Sequence, residues 1–269
     1  MSISKIEWTS ETWNFCTGCT HFSPECRNCY SEPLSNRLAK IFPDKYGKGF
    51  DVVVAHEGAL LIPHNWKKGK VIFVNSMSDT FHKDVPAEFR ERAFQVMNDT
   101  PRHIYQVLTK RDNILELTQN DLNWTDNIWM GISVGSRASV RKIDVLRNCK
   151  AKHKFLSIEP LIEDLGKDIN LEGIDWVIVG GESGRGMDIR KMEESWVLNV
   201  LEACQKYNVP FFFKQWGMAR FNPNPNDPTI EKDHPSYAKG GCQLNGKIYH
   251  ENPCVDQLLS MNNQQLKAA

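Results

Sequence analysis

Six short apolar runs recur along this chain, each closed by small, polar or charged residues, and this recurrence constrains the fold more than any other feature. They cover residues 71–74, 104–108, 128–134, 155–158, 176–179 and 210–214. Each is almost continuously apolar and rich in β-branched or aromatic residues, the pattern of strands buried on both faces in a parallel sheet. Between them lie stretches with helical spacing. Residues 86–98 open with proline in the first turn and set Phe89, Ala93, Phe94 and Met97 on one side. Residues 136–148, 194–207 and 34–41 are further helix candidates. Strand–helix alternation repeated in this way builds βα units. A weaker first strand at 11–15 brings the strands to seven. That favours an α/β fold with a parallel (β/α) barrel or partial barrel of six to seven strands. An open doubly wound sheet is the alternative.

The alternation ends near residue 217, so residues 1–217 are assigned to the barrel. Residues 42–70 interrupt it and read as an insertion. Residues 222–241 are dense in Pro, Asn and Asp, as loops are. "CQLNGKIYH" then reads as a small hairpin on an Asn-Gly turn. Residues 218–269 are thus a loop, a hairpin and a tail whose last dozen residues are polar and expected to fray.

Lys plus Arg number 33 and Asp plus Glu 33, so net charge gives no support to indiscriminate binding of nucleic acid or membrane. No secretory leader is visible at the N-terminus, and no window approaches the ~18 apolar residues of a membrane span. A cytoplasmic protein is expected, with its thiols reduced. This matters because four of the eight cysteines fall within "NFCTGCTHFSPECRNCY". Of the others, Cys149 and Cys204 sit in helical patterns and read as buried small hydrophobes.

In a parallel barrel, function gathers at the C-terminal ends of the strands. Here those ends carry Asn75–Asp79, Thr109–Arg111, Ser133, Ser157–Pro160, Gly180–Gly184 and Lys214–Trp216. The two glycines before Glu182 let a backbone approach a ligand closely. The cysteines follow the first strand and so fall on the same rim, spaced Cys16-x2-Cys19-x6-Cys26-x2-Cys29. Three readings compete: a disulfide staple, which a reducing compartment disfavours; two CxxC knuckles holding zinc on four thiolates; or Cys19, Cys26 and Cys29 holding a [4Fe–4S] cluster with one iron open to a small ligand. The x6 gap is short beside the ~15–20 residues of a zinc ribbon. Tyr30 is the aromatic directly after the last cysteine. His56, His64, His82 and His103 are scattered, with no HExxH or GxSxG pattern to support an ordinary hydrolase.

"TWNFCTGCTHFSPECRNCY", "VIFVNSMSDTFH", "YQVLTKR", "MGISV", "FLSIEPL", "DWVIVGGESG" and "VPFFFKQWG" together resemble the phage Gp37/Gp68 family, a domain of unknown function, from about Trp8 to Gly217. That family in turn resembles radical S-adenosylmethionine enzymes of the spore photoproduct lyase-like branch. The family usually has an apolar residue where this chain has Cys16, which implies ligation by Cys19, Cys26 and Cys29 alone. The x6 gap departs from the usual x3 of the superfamily. The resemblance implies an enzyme that binds S-adenosylmethionine at the open iron, cleaves its sulfonium with one electron and abstracts hydrogen through a 5′-deoxyadenosyl radical. It implies a cofactor site of Tyr30, Ser76, Ser78, Asp79, Lys110, Ser133 and Glu159. Ser76, Ser78 and Asp79 fall where the methionine ammonium is bound, Lys110 suits its carboxylate, and Ser133 and Glu159 suit ribose hydroxyls. Glu182 and Lys214 would face the substrate as catalytic residues, with Gln215 beside them. Lys110, Arg111 and Lys214 admit a nucleotide or nucleic-acid substrate. A reductase or flavodoxin-type electron donor is the expected partner, and no membrane is. The alternative from another class is a zinc-stabilised nucleic-acid-binding module without catalysis.

Overall fold

The computed structural model describes residues 6–184 and 188–268. Strand β1 (Glu11–Trp13) leads into a two-residue strand β2 (Cys16–Thr17), helices α1 (Ser31–Ala39) and α2 (Pro43–Tyr46), strand β3 (Val54–Ala55) and helix α3 (Glu57–Leu60). Then come β4 (Val71–Val74), α4 (Ala87–Asp99), β5 (Ile104–Thr109), α5 (Asp112–Thr118), β6 (Ile128–Ser133), α6 (Lys142–Arg147), β7 (His153–Ile158), β8 (Trp176–Gly180), α7 (Glu194–Tyr207) and β9 (Phe211–Gln215). The hairpin of β10 (Gln243–Leu244) and β11 (Lys247–Ile248) and helix α8 (Pro253–Ala268) follow.

Seven strands form one parallel sheet in the order β1-β4-β5-β6-β7-β8-β9. Each strand is laid beside the one before it, so the winding never reverses. A doubly wound sheet would reverse at a switch point. The sheet curls instead into a half-barrel, and the partial-barrel expectation holds.

Period-two alternation assigns the two faces. Ile72, Val74, Val177, Val179, Phe211 and Phe213 point outward and pack with helix residues such as Phe89, Ala93, Val197 and Val200. Val71, Phe73, Trp129, Phe155, Trp176, Ile178 and Phe212 point inward around Trp8. The Trp8 ring meets Phe73 edge-on at 4.7 Å and Trp176 at 6.2 Å. The interior takes Phe155 because Gly131 stands opposite it: a Cβ there would lie 2.3 Å from the ring. The C-terminal segment seals this end. Trp129 Nε1 donates to Gln257 Oε1 at 2.6 Å, Trp176 Nε1 to the Glu251 carbonyl at 2.8 Å, and Asn252 Nδ2 to the Trp8 carbonyl at 3.1 Å. With the N-terminal end filled, the C-terminal mouth is the open one.

Four differences from the sequence reading have local causes. The first strand is shorter than 11–15, because Cys16 and Thr17 leave the sheet to pair antiparallel with Val54 and Ala55. The helix at 136–148 starts later, at Lys142, after a 3-10 turn (Arg137–Ser139) closed by a Ser136–Ser139 capping box. The connection from β7 to β8 is a loop, and buried Leu161, Leu165, Ile169, Leu171 and Ile174 cover the sheet where a helix would lie. The tail is helical through Ala268, with Cys254, Leu258 and Met261 on one side against the inner cluster. The hairpin forms as read, with Asn245 and Gly246 at φ 49° and 72°. Among the described residues, no helix is long and apolar enough to cross a membrane.

Candidate functional site

The inward alternation that is apolar at the base turns polar at the mouth. Above Phe155 comes Ser157; above Gly131, Ser133; above Ile178, Gly180; above Phe212, Lys214. The segment from Gly18 to Ser31 crosses this mouth as a strap, and it is tied to the ends of four strands. At β4, Ser78 Oγ donates to the Gly18 carbonyl at 2.6 Å, and Tyr30 OH and Ser31 Oγ both donate to the Ser76 carbonyl at 3.0 Å. At β5, Arg111 Nη2 donates to the Thr20 carbonyl at 2.8 Å and to Thr20 Oγ1 at 3.0 Å. At β6, Glu25 Oε1 accepts from Ser136 Oγ at 2.7 Å and from the Gly135 amide at 3.2 Å. At β8, Asn28 Nδ2 donates to Glu182 Oε2 at 2.9 Å. Gly18 starts the strap at φ 84°, and a Cβ there would stand 2.1 Å from the Val52 carbonyl oxygen, so glycine is required.

All eight cysteines are free thiols. Cys16 is set apart from the other three in the strap region: its side chain lies in the outer core, and burial pushes its thiol up to about 12. Cys19, Cys26 and Cys29 are half-buried on the strap. Burial and the nearby Asp79 carboxylate push Cys19 up to about 11, against the pull of Arg111, whose Nη2 lies 3.9 Å from the sulfur. Among the described residues, no three His, Cys, Asp or Glu side chains are gathered closely enough to hold a single metal ion. A four-thiolate zinc site needs such a gathering and needs Cys16 in it. A cube of iron and sulfide is likewise held by Cys thiolates, and three of them suffice when one iron is left open to a ligand. Three reduced thiols on one strap, with the cations Arg111 and Lys142 beside them, fit that donor set and its negative charge.

The residues expected to bind a cofactor separate into two groups. Ser76, Ser78 and Asp79 frame the strap. Ser76 Oγ donates to Asn14 Oδ1 at 3.1 Å, and Ser78 is bound to Gly18. The Asp79 carboxylate accepts from Thr109 Oγ1 at 2.7 and 2.9 Å, from the Phe81 amide at 2.8 Å and from the Lys110 amide at 3.2 Å. It thereby locks the end of β4 to the end of β5. Tyr30, Lys110, Ser133 and Glu159 line the mouth. Lys110 Nζ donates to Ser133 Oγ at 3.1 Å. Glu159 Oε1 pairs with Lys214 Nζ at 2.9 Å. Burial disfavours the Lys214 ammonium, but Glu159 outweighs it and raises its pKa. Tyr30 is half exposed, toward the mouth; the surrounding protein pushes its phenol up while the Lys214 ammonium draws it down.

The two expected catalytic residues differ in setting. Lys214 faces the mouth. Glu182 is buried, and its oxygens accept from Asn28, from the Arg190 amide at 2.8 Å and from the Arg190 guanidinium. Burial would raise its pKa, yet these donors hold it below the usual carboxylate range. Gln215 is also buried and donates to the Gly181 carbonyl at 2.9 Å. Trp216 is core, its indole bound to the Gln243 carbonyl.

Glu25 and Lys142 shape the site but were not singled out in sequence; Asn75 was read there among the strand ends, but without its partner. Glu25 is buried; burial would raise its pKa, but the Ser23 and Ser136 hydroxyls hold it at about 2. Asn75 ends β4 in the left-handed region at φ 54°, binding the Cys16 amide at 3.1 Å. Lys142 is buried with its amine on the Lys110 carbonyl at 2.9 Å, and burial lowers its pKa. Its Nζ and the Arg111 guanidinium lie 5.4 and 4.9 Å from the Phe22 ring centre on the strap. A lone acid between ligand-type cysteines was the one signal for Glu25; for Lys142, a cation on an otherwise apolar helix face gave no such mark.

Among curated proteins and among solved structures, nothing matches this chain. A family model described as "Protein of unknown function (DUF5131)" matches residues 3–253, nearly its whole length. The strap, the rim that holds it and the half-barrel beneath all lie within that match, and the chain belongs to the DUF5131 family.

Proposed function

We propose that this protein is a radical S-adenosylmethionine enzyme, with Cys19, Cys26 and Cys29 holding a [4Fe–4S] cluster at the barrel mouth. The observation that carries the reading is the strap itself: three reduced, half-buried thiols laid across the open end of a parallel half-barrel and tied to four of its strands. Likeness to the phage Gp37/Gp68 family, and through it to the spore photoproduct lyase-like branch, supports the same reading. When bound, a cluster of this kind with S-adenosylmethionine supplies one-electron cleavage of the sulfonium, with the electron from a reductase or flavodoxin-type donor, and a 5′-deoxyadenosyl radical for hydrogen abstraction.

The chain's own residues do the rest. Lys110, whose ammonium is bound to a neutral hydroxyl, suits a carboxylate of the ligand. Tyr30 offers an aromatic wall for an adenine, and Ser133 and Glu159 offer acceptors for ribose hydroxyls. Ser76, Ser78 and Asp79 support this group by fixing the strap. Lys214 is the substrate-facing cation. Glu182, proposed from sequence as catalytic, is better suited by its bonds to Arg190 and Asn28 to clamp the strap. The aromatic base excludes water from below. Lys110 and Lys214 at one mouth suit a phosphate, while Arg111, expected to join them, is buried and committed to Thr20; a nucleotide or nucleic acid is the proposed substrate class.

The test is anaerobic purification. Brown protein with about four irons per chain, yielding 5′-deoxyadenosine with dithionite and S-adenosylmethionine, is the expected result. Colourless protein with stoichiometric zinc would overturn it and favour the zinc-stabilised binding module.

A further inference from the structure

We infer that Glu25 is the positioning residue of the strap: its buried carboxylate, seated on Ser136 Oγ and the Gly135 amide, sets where Cys26 stands over the mouth. The inference deepens the cluster reading, and only its iron readout depends on that reading. Glu25 immediately precedes Cys26 and is 3% exposed. Burying a carboxylate is costly unless donors meet it, and the end of β6 meets its Oε1, while the buried Oε2 has no hydrogen-bond partner among the described residues. Ser139 Oγ accepts from the Ser136 amide at 3.0 Å and from the Gly135 amide at 3.1 Å, and it donates to the Ser136 carbonyl at 2.7 Å. The receiving turn is therefore braced from within. Its backbone is also cut back. A Cβ at residue 135 would stand 2.7 Å from Glu25 Cγ and 2.1 Å from the Pro160 carbonyl oxygen, so only glycine admits the side chain at this depth.

The other contacts of this stretch are of a different kind. Arg27 pairs with Asp188 at 3.3 Å on the surface, where an ion pair holds little. Phe22 lies over cations but remains partly exposed. Between Thr20 and Asn28, Glu25 is the buried hydrogen-bonded tie to the rim among the described contacts. Remove it, and apart from the surface Arg27–Asp188 pair and the Phe22 ring contacts the Cys26 segment is held by Thr20 on one side and Asn28 on the other.

The experiment labels metal-free protein with a maleimide and follows each cysteine by peptide mass. Glu25→Ala should raise the labelling rate of Cys26 about tenfold, the size expected for losing a buried charged hydrogen bond, with the circular dichroism spectrum unchanged. Glu25→Gln keeps a carbonyl acceptor and should stay within about threefold of the parent. Ser136→Ala is remote in sequence and should also raise Cys26 labelling. After anaerobic addition of iron and sulfide, Glu25→Ala should lose most of the bound iron and Glu25→Gln should retain it. Unchanged Cys26 labelling in both Glu25→Ala and Ser136→Ala overturns the inference. If Glu25→Ala does not fold, Ser136→Ala decides alone. If the parent takes up no iron, the cluster reading fails while the labelling still judges the strap.

Discussion

Lys214 Nζ reaches Glu159 Oε1 at 2.9 Å across Gly180, joining the ends of β9 and β7 over the strand between them. The bridge exists because Gly180 has no side chain: a Cβ there would stand 2.6 Å from Glu159 Oε1. Each partner keeps less than a fifth of its side-chain surface accessible. Removing one charge leaves the other partly buried without its counter-ion, which costs more than the pair contributes. Lys214→Met should destabilise the fold by about 1–3 kcal/mol, discounted for partial exposure. The double variant with Glu159→Gln should recover part of that loss. Urea unfolding of the four proteins measures the coupling, and strict additivity would show that the two groups do not interact.

Gly131 and Phe155 stand opposite each other on β6 and β7, the glycine leaving the volume that the ring fills. Gly131→Ala should therefore overpack the inner cluster and cost about 1–3 kcal/mol. Phe155→Leu in the same chain should relieve the clash, so the double variant should lose less than the sum of the two single changes. Equal loss with and without the smaller partner would show that the ring is not the obstacle.

Cys16 belongs to the core and the other three cysteines of its segment to the strap. Cys16→Ala should lower the unfolding midpoint, as loss of a packed core side chain does, and leave iron binding intact. If the strap holds the proposed cluster, Cys19→Ala, Cys26→Ala or Cys29→Ala should abolish iron, with little change in the midpoint when variant and parent are compared metal-free. Iron content and thermal unfolding on the same preparations separate the two classes. Iron lost on Cys16→Ala alone would reverse the assignment of ligands.

His103 is wholly buried, with Nε2 on the Pro63 carbonyl at 3.1 Å. Burial lowers its pKa from 6.5 to about 4. Between those values the unfolded chain binds a proton at this ring and the folded chain does not. Stability therefore falls as pH drops from about 6.5 toward 4 and this contribution levels off below, with up to about 3 kcal/mol at stake. Because other histidines are also buried, the measurement is a difference: His103→Gln should show a shallower loss than the parent in urea titrations between pH 7 and pH 4.5. Parallel curves would exclude the ring as a source of the slope.

Much of this molecule was legible because parallel strands buried on both faces must be apolar almost throughout. The runs ending at Val74, Ile158 and Val179 announced β4, β7 and β8 in that way. The Asn245–Gly246 turn was equally plain, since few other residues accept two successive positive φ angles. The β7–β8 connection was not legible as a loop, because Leu161, Leu165 and Ile169 bury the same kind of surface a helix would. Nor was the tail, whose polar composition hides the helical spacing of Cys254, Leu258 and Met261. At the mouth, the polar strand ends were visible, but their division was not. Asp79 and Glu182 look in sequence like groups free to meet a ligand, whereas Thr109, Lys110, Arg190 and Asn28 surround them.

The sequence by itself determined most of the local elements, because hydrophobic runs and turn chemistry act over a few residues, whereas the side of each doubly buried strand that faces inward came from the curl of the sheet. The sequence also placed the three thiols on a segment following the first strand. Tertiary structure alone decided that this segment crosses the mouth, that Cys16 turns away into the core, and which carboxylates hold the strap and which face the opening. Those outcomes depend on pairs such as Glu25 with Ser136 and Asn28 with Glu182, more than a hundred residues apart in the chain. Such partners meet only once the sheet has curled, and nothing in either neighbourhood records the other.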